Sequence, residues 1–204
     1  MSRAARLLDG DRDCAEYGYL LYLTEVEATF GDPDSEGPLE AARQVRELGH
    51  RHGDATLVAA GTMGEGRILA ERGSVAEGMA LLDETFVMLL SEDLSPEWTG
   101  NLYCNLMATA HQLMDHERSA AWTDATSRWL ETLPSAVLFT GICRVHRSLV
   151  RQLRGSWEEA EREAAVVCRD LPGIQPASVG EAYYQLGELR RLRGTTQPAE
   201  EAYR

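Results

Sequence analysis

The chain has 204 residues and a net charge of −13, and all 20 of its basic residues are arginine. This acidic balance disfavours direct binding to nucleic acid or to an anionic membrane surface, because phosphate contacts need clustered cations. No apolar run approaches the roughly 18 residues of a membrane span, and the N-terminus lacks the long apolar core of a signal peptide. We therefore expect a folded cytoplasmic protein whose four cysteines stay reduced.

Long stretches with helical periodicity, separated by Gly, Pro and Asp, predict an all-α fold. A short opening helix ends near Gly10. The helices predicted after it cover about residues 12–29, 38–52, 55–72, 75–91, 96–114, 117–132, 138–154, 157–170, 178–193 and 198–204. Taken in antiparallel pairs, they form a single domain of five units, roughly 11–53, 54–93, 94–134, 135–174 and 175–204.

The same punctuation recurs along the chain. One arrangement of Gly, Ser and Glu begins at Gly73 and again at Gly155, and a Ser with Glu three residues later, as at Ser156 and Glu159, predicts a capping box. A small residue lies one turn into the second helix of each unit: Ala41, Gly78, Ser119, Ala160 and Ala199. Their spacing of about 40 residues is typical of a helical-repeat array.

The fourth and fifth units resemble tetratricopeptide repeats, although their period is longer than that family's roughly 34 residues. The family pattern has Leu-Gly in the first helix, a turn glycine, an aromatic residue and alanine in the second helix, and a closing proline. The matching residues are Leu186, Gly187, Gly194, Ala199 and Tyr203 in the fifth unit, and Gly155, Trp157, Ala160 and Pro172 in the fourth.

Longer stretches, among them AAWTDATSRWLE and YYQLGELRRLRG, are similar to the helical-repeat region of large actinobacterial LuxR-type, MalT-like transcriptional regulators. In that family the region lies between a nucleotide-binding domain and a helix-turn-helix, and the chain contains neither a phosphate-binding loop motif nor a basic helix-turn-helix. The resemblance implies a regulatory module folded as an α-α superhelix of about five antiparallel helix pairs. The short last predicted helix is expected either in a piece of a longer array or in a unit that docks onto another structure.

Four arginines form the main candidate binding site. Spacings of 3, 4 and 3 residues place them on one face of a predicted helix: Arg144, Arg147, Arg151 and Arg154. Guanidinium groups bind carboxylate or phosphate through two parallel hydrogen bonds, so this stripe could bind an acidic peptide or an anionic ligand. The alternative is a solvated face paired with neighbouring glutamates. Tyr183 or Tyr184 from the next unit could add a flat apolar contact beside it.

We expect no metal, no cofactor and no catalytic site. Cys143 and His146 have ligand spacing but lack further partners, and no acid–base constellation is visible. The sequence therefore favours a protein-interaction or signal-sensing module, with a small-molecule receptor as the alternative and an enzyme on a helical scaffold as the least favoured interpretation. The expected partner is a protein or peptide, and an anionic small molecule or a second copy of the chain remain alternatives.

Overall fold

The computed structural model describes residues 3–8, 10–28, 37–91, 94–132, 140–173 and 176–203, and within these ranges all regular structure is helical. The helices are α1 Arg3–Leu7, α2 Ala15–Leu21, a π-helical continuation Tyr22–Glu27, α3 Pro38–His52, α4 Ala55–Glu71, α5 Val75–Ser91, α6 Pro96–Gln112, α7 His116–Glu131, α8 Thr140–Leu153, α9 Trp157–Asp170, α10 Pro176–Leu192 and α11 Thr196–Tyr203. The all-α prediction is confirmed.

Most predicted helix ends lie within about two residues of the observed ones, which is the usual uncertainty of helix boundaries. The start of α2 differs by three residues, because Cys14 takes the capping position and its Sγ accepts a hydrogen bond from the Tyr17 N–H at 3.4 Å. The predicted helix ends at residues 29, 138 and 204 lie outside the described residues. No described helix has the length and apolarity that a membrane crossing requires.

The chain divides into two compact units, Met1–Leu106 and Met107–Arg204, and the division falls within α6. In the first unit α4 is buried along almost its whole length, from Thr56 to Ala70. Glycines permit this close packing. A side chain on Gly61 would clash with the backbone of Arg46 in α3, and a side chain on Gly66 would clash with the Gly78 carbonyl in α5.

Because α4 is enclosed by other helices, its charged residues need partners within the protein. The Glu65 carboxylate is held by Arg43 Nε at 2.9 Å and by Arg46 Nη2 at 3.0 Å, both from α3. The guanidinium of Arg67 donates to the carbonyl oxygen of Val26, in the π-helical segment, at 2.6 Å. These contacts tie α4 to the two preceding helical segments.

In the second unit α8 packs against α9 and α10, and α10 packs against α9 and α11. The core between these helices is formed by Val145, Ala164, Val167, Val179, Ala182, Leu186 and Ala202. Ala160 is fully buried, and its carbonyl oxygen accepts a hydrogen bond from Ser148 Oγ in α8 at 2.8 Å. All five small residues singled out by the repeat pattern are buried.

One turn geometry recurs between paired helices. Gly73, Met114, Gly155 and Gly194 all have a left-handed backbone conformation, and they follow one another at the repeat spacing of about 40 residues. Gly53, between α3 and α4, lies outside this spacing but has the same conformation, and the Asp54 N–H donates to the Gly49 carbonyl at 2.9 Å. At each turn the next N–H donates to the carbonyl five residues before it, at 2.9–3.0 Å, which is the hydrogen bond of a Schellman motif. Met114 therefore occupies the position that glycine holds in the other turns.

The capping box predicted at Ser156 is wrong. Its side chain makes no capping hydrogen bond, and its backbone N–H already donates to the Arg151 carbonyl. The Glu159 carboxylate instead binds the Arg151 guanidinium at 2.8 Å. Aspartates do cap two other helices, because Asp54 and Asp115 accept backbone hydrogen bonds at the starts of α4 and α7.

Candidate functional site

The arginine stripe lies on α8, an amphipathic helix whose other residues form part of the core. Cys143, Val145, His146 and Val150 are buried. The four arginines have more exposed side chains, from 17% for Arg147 to 51% for Arg154. The spacing of the arginines thus separates a charged face from an apolar face, as the sequence predicts.

A single carboxylate from α9 gathers three of these arginines. Glu163 Oε2 lies 2.7 Å from Arg144 Nη1 and 3.3 Å from Arg147 Nη2, and Glu163 Oε1 lies 3.7 Å from Arg151 Nη2. The Glu163 side chain is only 13% exposed. Three cations converging on one largely buried carboxylate fix the guanidinium groups in position, whereas exposed single pairs contribute little order.

Two further ion pairs extend the network to the C-terminal end of the stripe. Arg151 Nη1 lies 2.8 Å from Glu159 Oε2 in α9, and Arg154 Nη2 lies 3.2 Å from Asp124 Oδ2 in α7. Every arginine of the stripe therefore has a carboxylate partner, which agrees with the alternative of a paired, partly solvated face. Pairing and ligand binding are compatible, because a guanidinium carries five N–H donors and these pairs use only some of them.

Beside the stripe is a cavity of about 300 Å³, the arginine cavity, in which positive charge predominates. Its walls contain four arginines, of which Arg147, Arg151 and Arg154 belong to the stripe and Arg128 comes from α7. Of the described lining residues, two carry carboxylates, Asp124 and Glu159. Arg144 is not among the lining residues. In a chain with a net charge of −13, this is a local surplus of positive charge.

Arg147 is the most buried cation of the stripe, and its hydrogen bonding is incomplete. Burial lowers the pKa of its guanidinium, while the charge of Glu163 opposes that shift. Nη1 donates to Ser127 Oγ at 3.4 Å, but the buried Nε has no hydrogen-bond partner in the part of the chain that the structure describes. A buried donor without an acceptor costs free energy.

Tyr184, the remaining predicted site residue, lines a different cavity. That cavity has a volume of about 560 Å³ and lies between α10 and α11, where Tyr183 and Tyr203 also line it. None of the stripe arginines lines it. The structure thus brings three of the four arginines into one cavity and places both tyrosines in another.

Sequence reasoning missed Arg128, Asp124 and Glu163 as site residues. Glu159 and Glu163 are four residues apart on α9, so they share a helix face, and this spacing was the available signal. Asp124 and Arg128 are also four residues apart and share a face of α7, but only the packing of α7 near α8 brings that face to the stripe.

The arginine cavity offers positive charge and hydrogen-bond donors, and neither histidine nor cysteine lines it. Nowhere in the described ranges do three or more His, Cys, Asp or Glu side chains form a group that could hold a metal ion. Cys143 and His146 are both buried in the core of the second unit, and burial lowers the pKa of His146 to about 4.

Comparison with known protein-family models and with curated proteins finds no match for this chain.

Proposed function

We propose that the chain is a protein-interaction or signal-sensing module without catalytic activity, and that it is the regulatory part of a LuxR-type transcription regulator. Its helix pairs would stack as a tetratricopeptide-like α-α superhelix. The observation that carries this proposal is the left-handed turn that recurs with the same hydrogen bond, at a period typical of helical repeats. Repeats of this kind bury their apolar faces on neighbouring repeats and present extended surfaces to a partner.

The arginine cavity is the proposed contact for an acidic segment of the partner protein. The cavity is a local positive region on an acidic chain. It attracts negatively charged groups, which the acidic remainder of the chain's surface repels. The network around Glu163 holds the arginines in place before the partner arrives, which reduces the conformational entropy lost on binding. The chain itself would contact no nucleic acid, and DNA binding would belong to another segment or another protein.

The test is the affinity for a labelled hexaglutamate peptide, with hexaglutamine as the uncharged comparison, measured by fluorescence anisotropy. The variant is the double substitution Arg151→Gln and Arg154→Gln, because these side chains are more exposed than that of Arg147, which also lies closer to Glu163 than Arg151 does. We expect binding to weaken by roughly 1–3 kcal/mol, the range for hydrogen bonds to charged groups. Added salt should reduce the wild-type affinity, since screening weakens exposed charges.

A matched control removes two other arginines from the same unit. Arg162→Gln together with Arg169→Gln makes the same change in net charge, and these exposed residues do not line the cavity. This control should bind the peptide nearly as well as the wild type. If both double variants lose affinity equally, the interaction reports net charge and the cavity is not the binding site.

A small-molecule receptor is the second candidate function, and the four arginines that line one cavity support it. In this alternative the cavity of about 300 Å³ encloses a small anion, at the lower limit of ordinary ligand pockets. Native mass spectrometry of the purified chain separates the two candidates. A retained small anion that the Arg151 and Arg154 double variant loses favours the receptor, and a retained peptide favours the interaction module.

A further inference from the structure

The cavity between α10 and α11 has aromatic and acidic walls, whereas arginines predominate in the walls of the arginine cavity. Three tyrosines line it, Tyr183, Tyr184 and Tyr203, together with the carboxylate of Glu201. The other two described residues that line it are Gly180 and Ala202, so none of the described lining residues is cationic. Its volume of about 560 Å³ is within the range of small-molecule sites.

The aromatic rings are arranged at an angle and are not stacked. The rings of Tyr184 and Tyr203 have centroids 6.1 Å apart and planes inclined by 51°. A cation is attracted to the face of an aromatic ring within about 6 Å of its centroid, and three such rings line the cavity. Tyr183 and Tyr184 are adjacent on α10, so their side chains leave the helix in directions about 100° apart and line the cavity from two sides.

Two contacts hold the ring of Tyr203 in place before any ligand is present. The ring packs directly against the α10 backbone at Gly187, in space that any larger residue at this position would occupy. Its hydroxyl donates to the carboxylate of Glu188, which is also bound by Arg191 at 2.7 Å. The positive charge of Arg191 is therefore paired with the Glu188 carboxylate, next to the hydroxyl group of Tyr203.

We propose that this cavity, the tyrosine cavity, binds a small organic cation with an alkylated ammonium head group. The ring faces supply negative electrostatic potential and apolar contact, and Glu201 supplies a full negative charge. A quaternary ammonium group matches this combination, because its methyl groups are apolar and its charge needs no hydrogen-bond acceptor. The proposal does not depend on the function of the arginine cavity, since the two cavities share no lining residue.

The test compares choline with 3,3-dimethyl-1-butanol, a neutral carbon isostere of the same shape, by isothermal titration calorimetry on the full chain. Choline should bind about 2-fold to 30-fold more tightly, the range that corresponds to cation–π energies between exposed and desolvated sites. Tyr184→Leu should reduce this preference, whereas Tyr184→Phe should keep it because the ring face remains. Tyr184 is 56% exposed, so both variants should retain the fold.

A second pair of variants tests the carboxylate. Glu201→Gln should weaken choline binding, whereas Glu200→Gln, one residue earlier on the exposed face of α11 and not lining the cavity, should leave it unchanged. Circular dichroism of each variant verifies the fold. Equal affinities for choline and its isostere, an absence of saturable choline binding, or an unchanged preference in Tyr184→Leu would overturn the proposal.

Discussion

His146 should make the stability of the protein depend on pH between about 6.5 and 4. The imidazole is buried in the second unit, and its Nε2 has no hydrogen-bond partner within the described residues. Burial, with a smaller contribution from the charge of His111, lowers the pKa of His146 from 6.5 to about 4. The folded state therefore holds this proton less tightly than the unfolded state does.

The sign and size follow from proton linkage. Below pH 6.5 the unfolded state binds a proton that the folded state does not, so the free energy of unfolding falls as the pH falls. The loss is complete below about pH 4 and totals about 3 kcal/mol, because each tenfold difference in proton affinity is worth about 1.4 kcal/mol. Between pH 7.5 and pH 5.0 the His146 contribution should decrease by about 2 kcal/mol.

The assay is urea denaturation followed by circular dichroism at pH 7.5 and pH 5.0 for the wild type and for His146→Met. Methionine fills the site with a flexible apolar side chain that does not titrate. The wild type should lose about 2 kcal/mol more than the variant on acidification. His50→Met, which changes an exposed histidine of α3, should behave like the wild type. If His146→Met and the wild type lose equal stability, His146 is not the buried titrating group inferred here.

Two further predictions concern the repeat itself. Ala160→Leu should destabilise the protein by about 1–3 kcal/mol in urea denaturation, because Ala160 is fully buried under α8 and has no room for a larger side chain. The control is Ala165→Leu, which changes an exposed residue of the same helix. Equal denaturation midpoints for the two variants would show that α8 and α9 do not meet at Ala160. Met114→Gly should raise the midpoint of thermal unfolding by relieving up to about 1 kcal/mol of left-handed strain, since the Met114 side chain is 66% exposed, and Gly155→Ala should lower it by a similar amount; a stabilising Gly155→Ala would contradict the shared turn geometry.

The sequence alone determined the helices and their order. Their signals are local: apolar periodicity, a proline at the first position of α3 and α6, a capping aspartate before α4, and a left-handed glycine after α4 and α8. The sequence pattern also predicted a small residue one turn into the second helix of each unit, and all five of these residues are buried. The spacing of the arginines predicted a shared face on α8 for the same reason, since helical geometry alone relates residues three and four apart.

Only the tertiary structure decided which groups lie opposite these faces. Glu163 is one of several glutamates on α9, and nothing in its local sequence distinguishes it as the carboxylate that three arginines share. Tertiary packing also separates Tyr184 from the arginine stripe, because Tyr184 lines a cavity that α10 and α11 form together.

The charged residues of α4 show the same limit. By composition Glu65 and Arg67 belong on a solvated surface, yet both are buried, because the glycines of α4 allow neighbouring helices to approach it closely. Helix formation depends on residues within a few positions of each other, whereas burial and ion pairing depend on helices that are distant in sequence. For that reason the sequence predicted the elements and one face of the candidate site, and tertiary packing decided the partners of that face and its cavity.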